Sequence, residues 1–333
     1  MSGWDIWPSP PGQERRYPSP TKTGTVLFRI PGTGEVCETY FELWGDLASK
    51  QTPLICLHGG PGIIHDYLLP ISLIHTDYDV PVLMYDQVGC GKSTRLRERK
   101  GSAAFWTPAL FTAELDNLIT TLDIATFDLL GHSWGGMLAA QYATAQPAGL
   151  RKLVVCDSPA DMATWVSVTD ALREQLPPEV GSVLDACERE GRTESPEYQA
   201  ALIEFYRRHL CRVEPFPREL MAVFAAVADD NTVYTTMNGP SEFAVTGSLA
   251  SWSIVGQLHT ITEATAPGGI LIVNGHFDEV QDACVLPYFT HTKARVKWVQ
   301  FALSAHMPQL EETEKFVRTV GSFLTTHASV PVA

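Results

Sequence analysis

The chain has 333 residues, of which 45% are apolar and 10% aromatic, so it can bury a large core. Its 24 Lys and Arg against 38 Asp and Glu give a formal net charge of −14 at pH 7. A nucleic-acid-binding protein needs a basic surface to displace counterions from phosphates, and an anionic membrane surface would repel this chain. Composition therefore argues against nucleic acid and membrane lipid as partners.

The seven cysteines are scattered along the chain, and no two of them are spaced C-x-x-C. This pattern predicts neither a disulfide framework nor a zinc site. The N-terminal sequence lacks the basic start and apolar centre of a secretory signal, and no apolar run approaches the roughly 18 residues of a membrane span. We therefore expect a reducing, cytoplasmic setting.

The order of the predicted elements indicates the fold. Residues 1–22 are proline-rich and predict an extended arm. Two β-rich segments, Thr25–Ile30 and Val36–Leu43, then predict an antiparallel pair. Short apolar runs that end in a polar residue or glycine follow, and they alternate with helical stretches. The runs are Pro53–Leu57, Val80–Tyr85, Phe127–Leu130, Leu150–Cys156, Gly269–Val273 and Arg295–Phe301, with helices predicted at Thr112–Thr121, Met137–Ala145 and Gln309–Leu324.

This alternation is typical of βαβ units, and it predicts an α/β fold with a mostly parallel sheet. Residues 158–262 break the pattern with helical periodicity at Ala171–Leu176, Pro196–Val213 and Arg218–Val227. We therefore predict a core formed by residues 23–157 and 263–333, with a helical cap inserted at 158–262. In such sheets ligands bind beyond the carboxyl ends of the strands.

The strongest local signal is a G-x-S-x-G pentapeptide at residues 131–135, between an apolar strand and an alanine-rich helix. A serine on a sharp strand-to-helix turn needs small neighbours, and the turn exposes its Oγ near the positive end of a helix. A glycine-rich turn with an incidental serine has the same pentapeptide. The flanking strand and helix nevertheless favour Ser133 as a nucleophile.

A second signal is the run HGGPG at residues 58–62, directly after a predicted strand. A tetrahedral intermediate carries a negative oxygen that needs two backbone N–H donors, and glycine lets the backbone approach closely. We predict an oxyanion hole formed by the backbone N–H groups of Gly60 and Trp134. The alternative is an ordinary Gly-Pro turn.

The acid and the histidine of a triad should follow the serine in that order. Asp278 and His306 each come just after a predicted strand, so we assign Asp278 to orient His306 and His306 to accept the Ser133 proton. Glu279 and Asp282 are less well placed rivals for the acid. His132 adjoins the serine, but we expect its side chain to point away from the site.

Two further patterns suggest other chemistry and fail on spacing. Gly91-Lys92-Ser93 resembles the end of a phosphate-binding loop, but that motif needs a glycine where Asp86 stands. Cys90 has no Cys–His pattern around it. The chain also lacks an H-E-x-x-H motif, so we predict neither a catalytic metal nor a cofactor.

Six motifs in the same order resemble the proline iminopeptidases of the α/β-hydrolase fold. They are HGGPG at 58–62, DQVGCGKS at 86–93, GHSWGG at 131–136, MNGPSEF at 237–243, GHFDE at 275–279 and AHMPQLE at 305–311. The resemblance covers about residues 36–324 and implies the triad assigned above, beneath a helical cap. The proline-rich arm has no counterpart in that pattern, and Ala305 stands where glycine is frequent.

The resemblance also implies a role for Glu242 and Glu279, which would hold the free α-ammonium group of the substrate. Two carboxylates in a closed, poorly hydrated pocket would favour a charged N-terminus through charge-assisted hydrogen bonds. Without the resemblance, Glu242 reads as a solvated loop acid and Glu279 as an acid at a helix N-terminus.

We therefore expect a serine aminopeptidase or amidase that releases an N-terminal residue from short peptides or amino-acid amides through an acyl-enzyme. Amino-acid amidases share these motifs, so the first residue is proline or another small or apolar one. An esterase or lactonase acting on an uncharged small molecule is the alternative, and a non-catalytic ligand-binding relative is a more distant one. An epoxide hydrolase or dehalogenase would need an aspartate in place of Ser133. The oligomeric state is open.

Overall fold

The computed structural model describes residues 7–242 and 245–326. An eight-stranded sheet forms the centre of the molecule, in the order β1-β2-β4-β3-β5-β6-β7-β8. The strands are β1 Lys22–Arg29, β2 Val36–Trp44, β3 Leu54–Leu57, β4 Val82–Tyr85, β5 Phe127–His132, β6 Leu150–Cys156, β7 Ile270–Gly275 and β8 Val296–Phe301. β1 and β2 are antiparallel, β2 is antiparallel to β4, and the strands from β3 to β8 are parallel. The predicted mostly parallel α/β fold is confirmed.

Eleven α-helices connect or cover these strands within the described residues. They are α1 Leu73–Tyr78, α2 Pro108–Thr121, α3 Trp134–Thr144, α4 Met162–Arg173, α5 Pro178–Arg189, α6 Pro196–His209, α7 Arg218–Asp229, α8 Thr232–Met237, α9 Asp282–His291, α10 Pro308–Glu311 and α11 Thr313–Thr325. Short 3₁₀ segments occur at His65–Ser72, Arg97–Arg99 and Val255–Thr260.

The apolar runs of the central strands are buried on both faces, as a parallel sheet between two helical layers requires. Alternate residues point to opposite faces, so that Ile55 and Leu57 pack with α2, α3 and α9, while Leu54 and Cys56 pack with α1 and α11. All four of these side chains are fully buried. The strand ends are thereby held rigidly, and the loops that follow them share one edge of the sheet.

The region between β6 and β7 is helical, from α4 to α8. Helices α4, α5 and α6 form a small apolar cluster of their own around Leu184 and Phe205. Helix α8 lies over the loops that follow β3 and β4. A Cβ on Gly62 would lie 2.6 Å from Cβ of Val233, and one on Gly89 would lie 2.5 Å from its Cγ2. Glycine at these two loop positions therefore lets α8 approach the core.

All six predicted helices differ in their bounds from those observed, and three of them, at α4, α6 and the chain's closing helix, differ most. Helix α4 begins at Met162, nine residues before the predicted start at Ala171, because the Asp161 side chain accepts a hydrogen bond from N of Thr164 at 2.8 Å. Helix α6 ends at His209, before the predicted Val213. The predicted closing helix is divided into α10 and α11 at Glu312, which has φ −124° and ψ 53°.

The division at Glu312 is caused by hydrogen bonds to the loop after β8. Its Oε2 accepts hydrogen bonds from N of Leu303 at 3.0 Å and from Oγ of Ser304 at 2.8 Å. The carboxylate is thus tied to the loop after β8 rather than left on the surface of a continuous helix. Periodicity alone indicates one helix here, since the interruption depends on a contact with another segment.

The N-terminal segment from Trp7 onwards lies along the surface before β1 begins at Lys22; the rest of the predicted arm is outside the described residues. N of Gly12 donates to the carbonyl oxygen of Glu311 at 2.8 Å, and Nε1 of Trp44 donates to that of Pro18 at 2.8 Å. Among the described residues, no helix combines the length and the apolar character that crossing a bilayer requires.

Candidate active site

Ser133 lies in the tight turn between β5 and α3. Its backbone has φ 56° and ψ −125°, a conformation that is costly for a residue with a side chain. A Cβ on Gly131 would lie 2.0 Å from the carbonyl oxygen of Gly135, and one on Gly135 would lie 2.1 Å from that of Leu57. Only glycine fits at both positions, which explains the G-x-S-x-G spacing. The positive end of the α3 dipole lies at the serine.

The predicted acid and histidine are in contact. Nδ1 of His306 donates a hydrogen bond to Oδ1 of Asp278 at 2.7 Å, and both side chains are buried. The same Oδ1 accepts a hydrogen bond from N of Val280 at 2.8 Å. Burial lowers the pKa of His306, but the charge and hydrogen bond of Asp278, helped by Glu279 and Glu242, outweigh it and raise that pKa to about 9. The pairing holds the imidazole in one orientation.

The loop after β3 packs against the nucleophile turn. A Cβ on Gly59 would lie 3.0 Å from Cβ of Ser133. Gly60 has φ +106°, which favours glycine, and it lines the same cavity as Ser133. The structure therefore places Gly60 in the cavity beside Ser133. Trp134, the other predicted donor, directly follows Ser133 in the chain.

Glu242 and Glu279 line this cavity together with Ser133. The hydroxyl of Tyr234 donates a hydrogen bond to Oε1 of Glu242. Oε1 of Glu279 lies 3.9 Å from Nε2 of His306, and its Oε2 is buried without a hydrogen-bond partner among the described residues. Burial raises the pKa of both carboxyl groups, and that of Glu279 lies well above its usual value because the charge of Glu242 adds to burial. Such a pair favours a bound cation.

These side chains share a cavity of about 690 Å³. Its far wall is apolar and comes from α6 and α7, including Leu202, Tyr206, Val223 and Phe224. None of the described residues that line it is a lysine or an arginine. A second cavity of about 20 Å³ also borders Ser133, and its other lining residues include Trp134, Met137, Met162, Trp165, Glu242 and Glu279. The smaller cavity has room for about one water molecule.

A buried hydrogen-bond chain joins the loop after β3 to the histidine loop. Nε2 of His132 donates to the carbonyl oxygen of His306 at 2.7 Å, so its Nδ1 accepts from the Tyr67 hydroxyl at 3.0 Å. The Tyr67 oxygen accepts in turn from N of Gly59 at 2.7 Å. Burial and the charge of His306 hold the pKa of His132 well below its usual range, as this neutral form requires. The expectation that His132 points away from the site is wrong, since its ring centroid lies 4.8 Å from that of His306.

Gln87 joins the two predicted oxyanion segments. Its Nε2 donates to the carbonyl oxygen of His58 at 3.0 Å, and its Oε1 accepts from Nε1 of Trp134 at 2.9 Å. Sequence reasoning missed Gln87 and Tyr67 as site residues. Their partners are distant in the chain, so the only available signal was the position of Gln87 within the DQVGCGKS motif.

Glu311 braces the loop that carries the histidine. Its Oε2 accepts from N of Ala305 at 2.8 Å and from N of Met307 at 3.1 Å, while Oε1 accepts from N of Arg212 at 2.7 Å. Burial raises the pKa of Glu311 to about 7 against these three hydrogen bonds. The two residues that flank His306 are thereby fixed to the segment that follows α6.

The segments dismissed from the sequence have structural roles. The amide of Lys92 donates to Oδ2 of Asp86 at 2.8 Å, and a Cβ on Gly91 would lie 2.1 Å from the same oxygen, so this loop folds around a carboxylate. Burial raises the pKa of Cys90 well above its usual value, which disfavours a thiolate. Asp282 accepts hydrogen bonds from Asn274 at 2.9 Å and from Gln300 at 2.7 Å.

One group of three potential metal ligands occurs among the described residues: Asp157, Asp278 and His306, with one atom of each within 4.8 Å of the others. The nitrogen of His306 that faces the carboxylates carries the proton of its 2.7 Å hydrogen bond to Asp278. A protonated nitrogen cannot ligate a metal. The arrangement is therefore that of a hydrogen-bonded acid–histidine pair.

The fold and the site together define the class of protein. A family model described as the alpha/beta hydrolase fold matches residues 52–313, so the chain is an α/β hydrolase. The proline iminopeptidase of Heyndrickxia coagulans is 33% identical over 275 residues, which are 83% of this chain and 91% of that protein. The chain belongs to the proline iminopeptidase family, as the six motifs predict.

Two solved structures resemble the chain over nearly its whole length. The crystal structure of VinJ has a TM-score of 0.85 and 42% sequence identity, and the match covers 92% of this chain and 98% of that one. The proline iminopeptidase of Mycobacterium smegmatis has a TM-score of 0.81 and 40% identity, with coverage of 91% and 97%. Both matches therefore cover more than nine-tenths of this chain.

Proposed function

We propose that this protein is a serine aminopeptidase or amidase that releases an N-terminal residue, proline or another small or apolar one, from short peptides or amino-acid amides. The observation that carries the proposal is the pair Glu242 and Glu279 in the same cavity as Ser133 and His306. A hydrolase for uncharged esters has no use for two buried carboxyl groups beside its nucleophile. The names of the relatives support the same reaction.

Ser133 attacks the carbonyl carbon of the first residue, and His306 accepts its proton. Asp278 fixes the Nδ1–H tautomer of the histidine and stabilises the imidazolium that forms. The amine leaves with the proton from His306, an acyl-enzyme remains on Ser133, and water then releases the free amino acid by the same steps. The chemistry needs no cofactor.

The negative oxygen of the tetrahedral intermediate is held by the backbone N–H groups of Gly60 and Trp134. Two contacts support this assignment: the close packing of Gly59 on Ser133, and the side chain of Gln87 that ties both segments together. Donors that are fixed before the reaction need no reorganisation when charge develops.

Glu242 and Glu279 hold the α-ammonium group of the substrate. Their raised pKa values mean that the empty pocket resists carrying two negative charges. A bound ammonium group removes that penalty, so binding and ionisation of the pair reinforce each other. An acylated amine carries no positive charge and does not stabilise the two carboxylates. The site therefore selects substrates with a free N-terminus, as an exopeptidase does.

The helices between β6 and β7 act as a cap over the carboxyl ends of the strands, with residues 158–262 as its bounds and residues 23–157 and 263–333 as the core. The cap supplies Glu242 and the apolar wall of the cavity. The proline-rich arm, residues 1–22, is a separate surface segment. A reducing, cytoplasmic setting suits seven cysteines that are all free and buried.

The experiment measures hydrolysis of prolyl, alanyl and leucyl aryl amides beside their N-acetyl forms and a p-nitrophenyl ester. We expect the free-amine amides to be cleaved and acetylation to abolish cleavage, with Ser133→Ala inactive throughout. Cleavage of the ester and the acetylated compounds, with no reaction of the free-amine amides, would establish an esterase instead. Turnover retained in Ser133→Ala would disprove the nucleophile.

A further inference from the structure

A second aspartate lies beside the predicted triad. Asp157 follows β6, has φ 49° and is completely buried. Its Oδ1 accepts a hydrogen bond from N of Gly275 at 3.1 Å. Its Oδ2 has no hydrogen-bond partner among the residues that the structure describes. A buried carboxyl oxygen without a hydrogen-bond partner destabilises the fold. The protonation state of Asp157 and of the groups around it therefore needs an explanation.

The neighbouring Asp278 also has a carboxyl oxygen without a hydrogen-bond partner. Asp278 is also completely buried, and its Oδ2 likewise has no hydrogen-bond partner within the described part of the chain. One atom from each aspartate and one from His306 all lie within 4.8 Å of one another. Two carboxyl groups therefore face each other, and each has one unsatisfied oxygen.

The surroundings do not supply enough positive charge for two carboxylates. His132, with Nε2 at 3.8 Å from Oδ2 of Asp157, is neutral because its only proton goes to the carbonyl oxygen of His306. Glu311 adds a further acid nearby, and Gly275 contributes only an amide. Within the described part of the chain, His306 is the one cationic group that contacts the pair. His209 also interacts with Asp278, but burial lowers the pKa of its imidazole to about 4, so it is neutral. Like charges at this separation in a dry interior do not both ionise.

The hydrogen bonds decide which aspartate keeps the proton. Oδ1 of Asp278 accepts from Nδ1 of His306 and from N of Val280, and both bonds favour the ionised form. Asp157 accepts one amide hydrogen bond only. The proton therefore belongs on Asp157, where it satisfies both unpartnered oxygens with a single bond.

We propose that Asp157 is a positioning residue of the active site, which stays protonated and donates a hydrogen bond from its Oδ2 to Oδ2 of Asp278. The inference rests on the proposed role of Asp278 in orienting His306. The bond fixes the rotation of the Asp278 carboxylate, which otherwise is held from one side only. It also spreads the negative charge of Asp278, which lowers the basicity of His306 and keeps more of it neutral at working pH.

The test is the pH dependence of Ser133 phosphorylation by diisopropyl fluorophosphate, an uncharged reagent that needs no ammonium site. Its acid limb reports the ionisation of His306 in the free enzyme. Asparagine at position 157 keeps an N–H donor for Asp278 and an oxygen for Gly275. We expect the acid limb of Asp157→Asn to coincide with that of the wild type. In Asp157→Leu the donor is lost, so the limb moves upward by about one pH unit.

Other results would overturn the proposal. If Asp157 is ionised, both variants remove a negative charge beside His306 and shift the acid limb downward. If Asp157 only fills space, the isosteric asparagine variant reacts like the wild type, and the leucine variant slows the reaction without moving the limb. The asparagine variant alone separates a protonated from an ionised Asp157, so the test survives a leucine variant that fails to fold. Wild-type enzyme that reacts with the reagent but cleaves no free-amine amide would disprove the proposed function and leave this inference standing.

Discussion

Oε1 of Glu279 lies 3.9 Å from Nε2 of His306, so a predicted substrate-binding acid is close enough to act on the predicted base. The pKa of His306 is raised to about 9 by Asp278, Glu279 and Glu242 acting against burial. The neutral imidazole that accepts the serine proton is therefore scarce in the empty site at neutral pH.

This relationship predicts a pH effect for Glu279→Gln. A neutral side chain removes one of the charges that favour the imidazolium, so the pKa of His306 falls and the acid limb of the reaction with diisopropyl fluorophosphate moves to lower pH. The wild-type limb should lie on the alkaline side of neutrality. An unchanged limb in the variant would mean that Glu279 does not act on the histidine.

Glu242→Gln tests the ammonium site. A charge-assisted hydrogen bond contributes about 1.5–3 kcal/mol, so kcat/KM for a prolyl aryl amide should fall by roughly 10- to 150-fold, while phosphorylation of Ser133 continues. Glu188→Gln is a matched control. Glu188 accepts a hydrogen bond from the hydroxyl of Tyr198 at 3.0 Å, as Glu242 does from Tyr234, but away from the cavity. Equal losses in both variants would argue against the ammonium site.

Tyr67→Phe tests the chain between the loop after β3 and the histidine loop. The change leaves N of Gly59 and Nδ1 of His132 unsatisfied, which costs about 1–3 kcal/mol in the free energy of unfolding. We expect kcat to fall more than KM rises, since the chain positions both loops. Tyr142→Phe loses a hydroxyl hydrogen bond to Asp116 instead, and it should leave the kinetics unchanged. Denaturant unfolding and steady-state kinetics provide the two readouts.

The charge of the cavity predicts a preference in the leaving group. No lysine or arginine among the described residues lines it, whereas Glu194, Glu242 and Glu279 do. When the substrate is a dipeptide, the free carboxylate of its second residue, which leaves in the reaction, is therefore repelled by these glutamates. Prolyl-leucinamide should be cleaved about tenfold faster in kcat/KM than prolyl-leucine at low salt, and the ratio should shrink as salt is added. Equal rates would mean that the carboxylate remains in bulk solvent.

A protonated Asp157 also predicts a pH-dependent stability. Burial and the neighbouring Asp278 raise the pKa of Asp157 well above its usual value. Above about pH 4 the unfolded chain releases this proton and the folded chain keeps it, so the stability of the wild type falls by up to about 1.4 kcal/mol per pH unit on this account. Asp157→Asn lacks the penalty. The difference in Tm between variant and wild type should therefore grow from pH 4 upward, until the folded group ionises, and a constant difference would contradict this.

Much of the fold could be predicted from the sequence, because the patterns that indicate its strands and turns lie within short segments. The buried strands are continuous apolar runs, and the run Leu150–Cys156 matches β6 in both bounds. The turn at Ser133 could also be predicted from adjacent residues, since close backbone contacts at Gly131 and Gly135 exclude any side chain there. The motifs around them were sufficient to predict the proline iminopeptidase family.

The tertiary structure alone determines the contacts between segments that are far apart in the sequence. Tyr67, Gln87 and Asp157 each reach the site across loops that follow different strands, so their spacing in the chain carries no trace of the pairing. The break at Glu312 and the orientation of His132 are likewise set by distant partners. A buried polar group takes its state from the donors and charges packed around it, and packing is fixed only when the whole sheet and its loops have assembled.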